Sequence, residues 1–106
     1  MLDIILPKEW VCDGAILKAK YNASSSNTWV YERGELKPKY NARSSNTWVF
    51  DGQTLKPKYN ANSSNTWVVD NKGILKPKYN ANSRNSYDLN GYPILVAYAQ
   101  LVLKLW

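Results

Sequence analysis

One phrase of sequence is written four times in this chain. LKAKYNASSSNTWVYE begins at Leu17, LKPKYNARSSNTWVFD at Leu36, LKPKYNANSSNTWVVD at Leu55 and LKPKYNANSRNSYDLN at Leu75. Anchored on tryptophan, the unit recurs every nineteen residues at Trp10, Trp29, Trp48 and Trp67. A degenerate fifth copy starts at Tyr87, twenty residues after Trp67, because VVDNKGIL carries one extra residue in its turn. Units this short cannot each bury a core, so they must share one. The expected organisation is therefore a single repeat domain over residues 1–106, with units starting near 10, 29, 48 and 67, a cap from 87 and a closing element over 94–106. The fifth copy keeps an aromatic opening and a turn dipeptide but loses both lysines, as a terminal cap does.

Turn chemistry indicates how each unit folds. Asp13-Gly14, Asp51-Gly52 and Asn90-Gly91 are dipeptides favoured in two-residue type I′ hairpin loops. Asp70-Asn71-Lys72-Gly73 suits a type I turn followed by a left-handed glycine, and Glu32-Arg33-Gly34 is less regular. With the loop at Asp51-Gly52, Phe50 is expected to pair with Gln53, Val49 with Thr54, Trp48 with Leu55 and Thr47 with Lys56. Because the side-chain period of a strand is two, one face then carries Trp48, Phe50, Leu55, Pro57 and Tyr59, and the other Thr47, Val49, Thr54, Lys56 and Lys58.

The fold class this predicts is all-β: about five antiparallel hairpins in a curled or closed sheet. A β-solenoid with one unit per coil is the rival, with Asn22, Asn41, Asn60 and Asn80 stacked in a ladder. It would also stack the lysines of the K-x-K segments about 4.8 Å apart and set Pro38, Pro57 and Pro77 inside ladders. A meander separates those lysines by an intervening strand, and proline fits where YNANSSN peels away from the sheet.

A flat ten-stranded sheet with one aromatic face would expose too much apolar surface. It must curl, receive a covering element or pair with another copy as a homo-oligomer. Leu2 to Leu6 and Ile94 to Trp106 are the covering candidates. In the second, Leu101, Leu103 and Leu105 alternate as in a strand, whereas Ile94, Leu95, Tyr98, Leu101, Val102 and Leu105 suit a helix. Strand is the expected state. PILVAYAQLVLKLW, at fourteen residues, is too short to span a bilayer. MLDIILPKEW has an acid where an export signal carries basic residues, so the default expectation is a cytoplasmic protein without a transmembrane segment.

Catalysis has little to stand on. The chain has no histidine, and its eight carboxylates are scattered, half of them at turns. Cys12 takes a place filled elsewhere by Tyr31, Phe50 and Val69, so it reads as an apolar filler; alone, it can form neither an internal disulfide nor a metal cluster. No enzyme, cofactor or metal is expected.

Two recurrent features remain. The lysine pairs Lys18/Lys20, Lys37/Lys39, Lys56/Lys58 and Lys76/Lys78 hold eight of fourteen basic residues and carry most of a net charge of +6. They form a cationic face, which either keeps a repetitive sheet soluble or meets a polyanion through charges at a regular pitch. With no aromatic on that face for base stacking, nucleic acid is the weaker partner. Tyr21, Tyr40, Tyr59 and Tyr79, each followed by Asn22, Asn41, Asn60 or Asn80 in a serine-rich loop, combine flat rings with hydrogen-bonding groups, which suits sugars. Those asparagines serve equally well as local turn formers.

In period and hairpin form the chain resembles the aromatic repeats of bacterial cell-wall-binding proteins such as the choline-binding family. Those repeats have adjacent aromatics and a Gly-Trp opening that are missing here, so the resemblance implies the hairpin array and assigns no ligand residue. The function expected is a non-enzymatic, multivalent binding module for a glycan or an anionic polymer or surface. The alternative is a structural protein whose repeats only build a rigid scaffold.

Overall fold

The computed structural model describes the backbone of all 106 residues and every side chain except that of Ser25. The strands are β1 (Leu2–Asp3), β2 (Trp10–Cys12), β3 (Ile16–Ala19), β4 (Thr28–Glu32), β5 (Glu35–Pro38), β6 (Trp48–Phe50), β7 (Thr54–Pro57), β8 (Trp67–Val69), β9 (Ile74–Pro77) and β10 (Tyr87–Asp88). Strands β2 to β10 lie side by side in chain order, each antiparallel to its neighbours, and β1 adds to β10 in parallel. This is the all-β hairpin fold expected. In a solenoid β2 would lie against β4; here β3 separates them, which excludes that rival.

The sheet curls without closing. Ten strands about 4.8 Å apart would measure about 43 Å across if flat, whereas the longest dimension of the molecule is 38 Å. Strands β1 and β2 remain its two edges, so the closed alternative does not occur. The fifth hairpin is also incomplete: after β10 the chain turns at Asn90-Gly91 into a helix, and β1 takes the place beside β10 that a second strand would fill.

Face assignment follows the period of two, but the register differs from the one expected by two residues. Phe50 pairs with Leu55, Val49 with Lys56 and Trp48 with Pro57. The cause lies in the aspartate. Asp51 Oδ1 accepts hydrogen bonds from the backbone N–H groups of Gln53 (2.9 Å) and Thr54 (2.8 Å), so Asp51 holds the corner and Gly52-Gln53 forms the loop. Gly52, at φ +102°, is the first loop residue, as in a type II′ turn. Asp13 does the same for Gly14-Ala15. Asp70 closes a three-residue loop ending in left-handed Gly73, as expected. Type I′ geometry is found at Asn90-Gly91, as expected, and also at Arg33-Gly34 (φ +54° and +78°), the turn that looked least regular. Because a shift of two preserves side-chain alternation, Trp48, Phe50, Leu55 and Pro57 still share one face.

That face is concave and holds the core. Leu17, Leu36, Leu55 and Leu75 are completely buried, and the tryptophans pack around them half-buried. Pro57 ends β7 opposite Trp48. Hydrogen bonds from Lys58 N–H to the Thr47 carbonyl (2.9 Å) and from Asp51 N–H to the Thr54 carbonyl (3.3 Å) mark the bonded pairs of this hairpin. Trp48 and Pro57 therefore fall at a non-bonded position, where the missing N–H is not required.

The concavity is filled by a helix, where a strand was expected. Ile94–Tyr98 form α1, buried on every side, and the chain continues as a π-helical turn over Ala99–Leu103. A strand enclosed there would leave backbone groups unpaired, whereas a helix bonds its own. An element apolar all round shows no decisive period, so the alternation of Leu101, Leu103 and Leu105 was no guide. Pro93 enters the helix and left-handed Lys104 ends it, with Leu105 N–H donating to the Ala99 carbonyl (3.1 Å).

Both chain ends close over this helix. Ile4 is fully buried and donates its N–H to the Asp88 carbonyl (2.9 Å). Gln100 accepts from Ile5 N–H (2.9 Å) and donates to the Asp3 carbonyl (3.2 Å), while Trp106 Nε1–H donates to the Ile5 carbonyl (2.9 Å). Residues 4–9 then cross from β1, at one edge of the sheet, to β2 at the other. No helix among the described residues is long and apolar enough to cross a membrane.

Candidate functional site

The loop joining one hairpin to the next is built the same way each time. In the third, Asn60 takes a left-handed conformation (φ +63°), and a short 3₁₀ turn covers Ser63–Asn65. Asn65 clamps the loop: its Oδ1 accepts from Asn62 N–H (2.8 Å), and its Nδ2 donates to the Asn60 carbonyl (3.2 Å). Thr66 Oγ1 donates back to the Asn62 carbonyl (2.6 Å) and is buried under the loop. Asn27, Asn46 and Asn85 make the same two contacts, and Thr28, Thr47 and Ser86 make the third. Asn22, Asn41 and Asn80 are left-handed like Asn60. Sequence reasoning missed the clamp, although an asparagine three residues after Ser24, Arg43, Asn62 and Asn82 carries its spacing, that of a capping box.

The four tyrosines expected as ligand platforms stand clear of the protein. Tyr21, Tyr40, Tyr59 and Tyr79 are 62–71% exposed, and Lys20 Nζ lies 5.7 Å from the Tyr21 ring centre. The strand alternation that placed Tyr59 beside Trp48 ends at Pro57, so Tyr59 leaves the inner face. Trp48 instead meets Tyr98 of α1 edge-on, with centroids 6.5 Å apart. Burial pushes the Tyr98 phenol up to about 12 and raises the Cys12 thiol, keeping both neutral.

The lysines occupy the convex face, with Lys18, Lys37, Lys56 and Lys76 each opposite Val11, Val30, Val49 or Val68. Where one hairpin meets the next, strand, loop and two lysines enclose a shallow groove. Thr54, Lys56, Ala61, Asn62, Thr66 and Lys78 line one of about 270 Å³. Ile16, Lys18, Ala23, Ser24, Thr28 and Lys39, at equivalent positions of the first junction, line another of about 240 Å³. The second junction differs because Glu35 stands where the others have Ile16 and Thr54. Its carboxylate reaches Lys37 Nζ (3.2 Å) with one oxygen and Lys58 Nζ (2.7 Å) with the other. Hydrogen bonds from Lys58 and Lys37 hold the Glu35 carboxyl below the usual range, and Glu35 in turn raises Lys37.

The remaining ion pairs are Lys37–Glu32 (3.3 Å) and Lys76–Asp70 (3.7 Å). Among the described residues, Lys18, Lys20, Lys39, Lys56 and Lys78 have no acidic partner within 4 Å. Cation character on this face is thus concentrated at the first and third junctions. No protein-family model, curated protein or solved structure matches the chain.

Proposed function

We propose that this protein is a non-catalytic, multivalent binding module whose tandem hairpins present lysines and exposed tyrosines to an acidic glycan. The observation that carries this reading is the pair of open, lysine-flanked grooves on one face, Lys18/Lys39 and Lys56/Lys78, with no internal carboxylate between them. Each groove lysine Lys39 and Lys78 is followed directly by an exposed ring, Tyr40 or Tyr79. A charged contact beside a flat amphipathic face suits a sulfated or carboxylated sugar. Each contact is weak at an exposed site, and repetition along one chain supplies avidity.

A glycan array containing acidic and neutral polysaccharides tests this reading. Binding should select acidic members, and the variant with Tyr21, Tyr40, Tyr59 and Tyr79 all changed to Ala should lose much more than any single change does. Binding by that variant equal to the parent's would make the tyrosine loops scaffold only. The structural reading has one observation in its favour: the clamp asparagines Asn27, Asn46, Asn65 and Asn85 spend both ends of their side chains on their own loop's backbone.

A further inference from the structure

Resting on the acidic-glycan reading, we infer that Glu35 is a built-in occupant of an anion site, and that the first and third junctions are the same site left open for a carboxylate or sulfate group of the glycan. At the second junction a carboxylate is already seated between the two lysines, at 3.2 Å from Lys37 Nζ and 2.7 Å from Lys58 Nζ. The first and third junctions supply the same two lysines, Lys18/Lys39 and Lys56/Lys78, from the same strand and loop positions. What they lack is the acid. Ile16 and Thr54 occupy the place of Glu35, and neither side chain can neutralise an ammonium.

The fourth junction offers no such place, since Lys76 already meets Asp70 at 3.7 Å and the degenerate fifth copy has no counterpart of Lys78. One closed site therefore lies between two open ones. Strands β3 and β7, which carry the open sites, are four strands apart. That places the sites at most about 19 Å apart along the sheet. A polymer with charged groups at that repeat can engage both at once, which a single free anion cannot do. Two ammonium groups converging on one oxyanion also explain why the acid is seated by both of its oxygens at the closed junction.

Exchanging residues at this one position opens and closes the sites. In Glu35→Thr, which copies the third junction, a new site becomes available; in Thr54→Glu, which copies the second, an open site is filled. The probes are sodium sulfate, followed by amide chemical shifts, and a sulfated heparin octasaccharide, followed by calorimetry. In the parent, sulfate should shift amides around Asn62 and Ser24 and leave those around Arg43 unmoved; in Glu35→Thr the Arg43 region should respond as well. Octasaccharide affinity should fall by roughly tenfold in Thr54→Glu and rise in Glu35→Thr. Lys78→Gln removes the same site without adding an acid and should reproduce the loss if Thr54→Glu folds poorly. Should all three variants bind the octasaccharide as the parent does while the acidic-glycan preference persists, the junction sites are wrong and the broader cationic face stands. An octasaccharide that binds neither the parent nor Glu35→Thr would overturn both.

Discussion

Trp48 and Tyr59 recur with the same period, in the same units, as the two large aromatics of the motif, yet they have opposite fates. Trp48 lies on the concave face against Tyr98, while Tyr59 is 63% exposed beyond the last paired residue of its strand. Recurrence alone therefore does not distinguish a core residue from a surface one. What distinguishes them is position relative to the end of the ladder: Pro57 is the last residue of β7, as Ala19 is of β3, and two residues later the side chain is free of the sheet's alternation. Repetition inside the concavity builds one core, and repetition outside it builds several copies of a surface.

The contrast is broken most strongly by truncation. Leu55→Ala should cost about 2–5 kcal/mol and Trp48→Ala about 3–5 kcal/mol, whereas Tyr59→Ala should lie within about 0.5 kcal/mol of the parent in urea unfolding. Comparable losses for Tyr59 and Trp48 would place both in the core. The loop clamp is next in size. Asn65→Ala removes one accepted and one donated hydrogen bond and should cost about 1–2 kcal/mol, with similar losses for Asn46→Ala.

A smaller effect, of opposite sign, is expected at the turn joining β4 and β5. Arg33 sits at φ +54°, the first central position of a type I′ loop, where asparagine is preferred. Arg33→Asn should stabilise the fold by about 0.5–1 kcal/mol in the same unfolding assay. The least change at neutral pH is expected from Asp51→Asn, which keeps the oxygen that accepts from Gln53 and Thr54. Backbone hydrogen bonds lower the folded-state pKa of Asp51, Asp13 and Asp70, and the lysines lower that of Glu35. For a lowered pKa the stabilisation is complete above the unfolded value of about 4 and is lost as pH falls through the folded value. Thermal melts from neutral to acid pH should therefore decline below about pH 4, and Asp51→Asn should shallow that decline.

Much of this structure was legible beforehand because a strand has a period of two. The sorting of Trp48, Phe50 and Leu55 from Val49, Lys56 and Lys58 survived an error in register, since the error was an even number of residues. The register itself was lost because Asp51 was read for its place in an Asp-Gly dipeptide, and its side-chain bonding moved it out of the loop to the corner. The helix over Ile94–Tyr98 was hidden by its complete burial, which removes the polar positions that reveal a helical period. For the site, the lysines and tyrosines were visible as recurrent residues. Glu35 was not singled out, because its meaning comes from two lysines twenty-one residues apart that only the sheet brings together.

The claim that the convex face works as a polyanion surface is tested most directly by the salt dependence of binding. Lys18, Lys39, Lys56 and Lys78 flank the open junctions and have no acidic partner within 4 Å among the described residues, so changing all four to Gln should leave the melting curve nearly unchanged. Binding to immobilised heparin should weaken at low salt, and the slope of log affinity against log salt should become shallower, as fewer counterions are released. An affinity and slope equal to the parent's would contradict the claim, and would leave these lysines as groups that keep a repetitive sheet in solution.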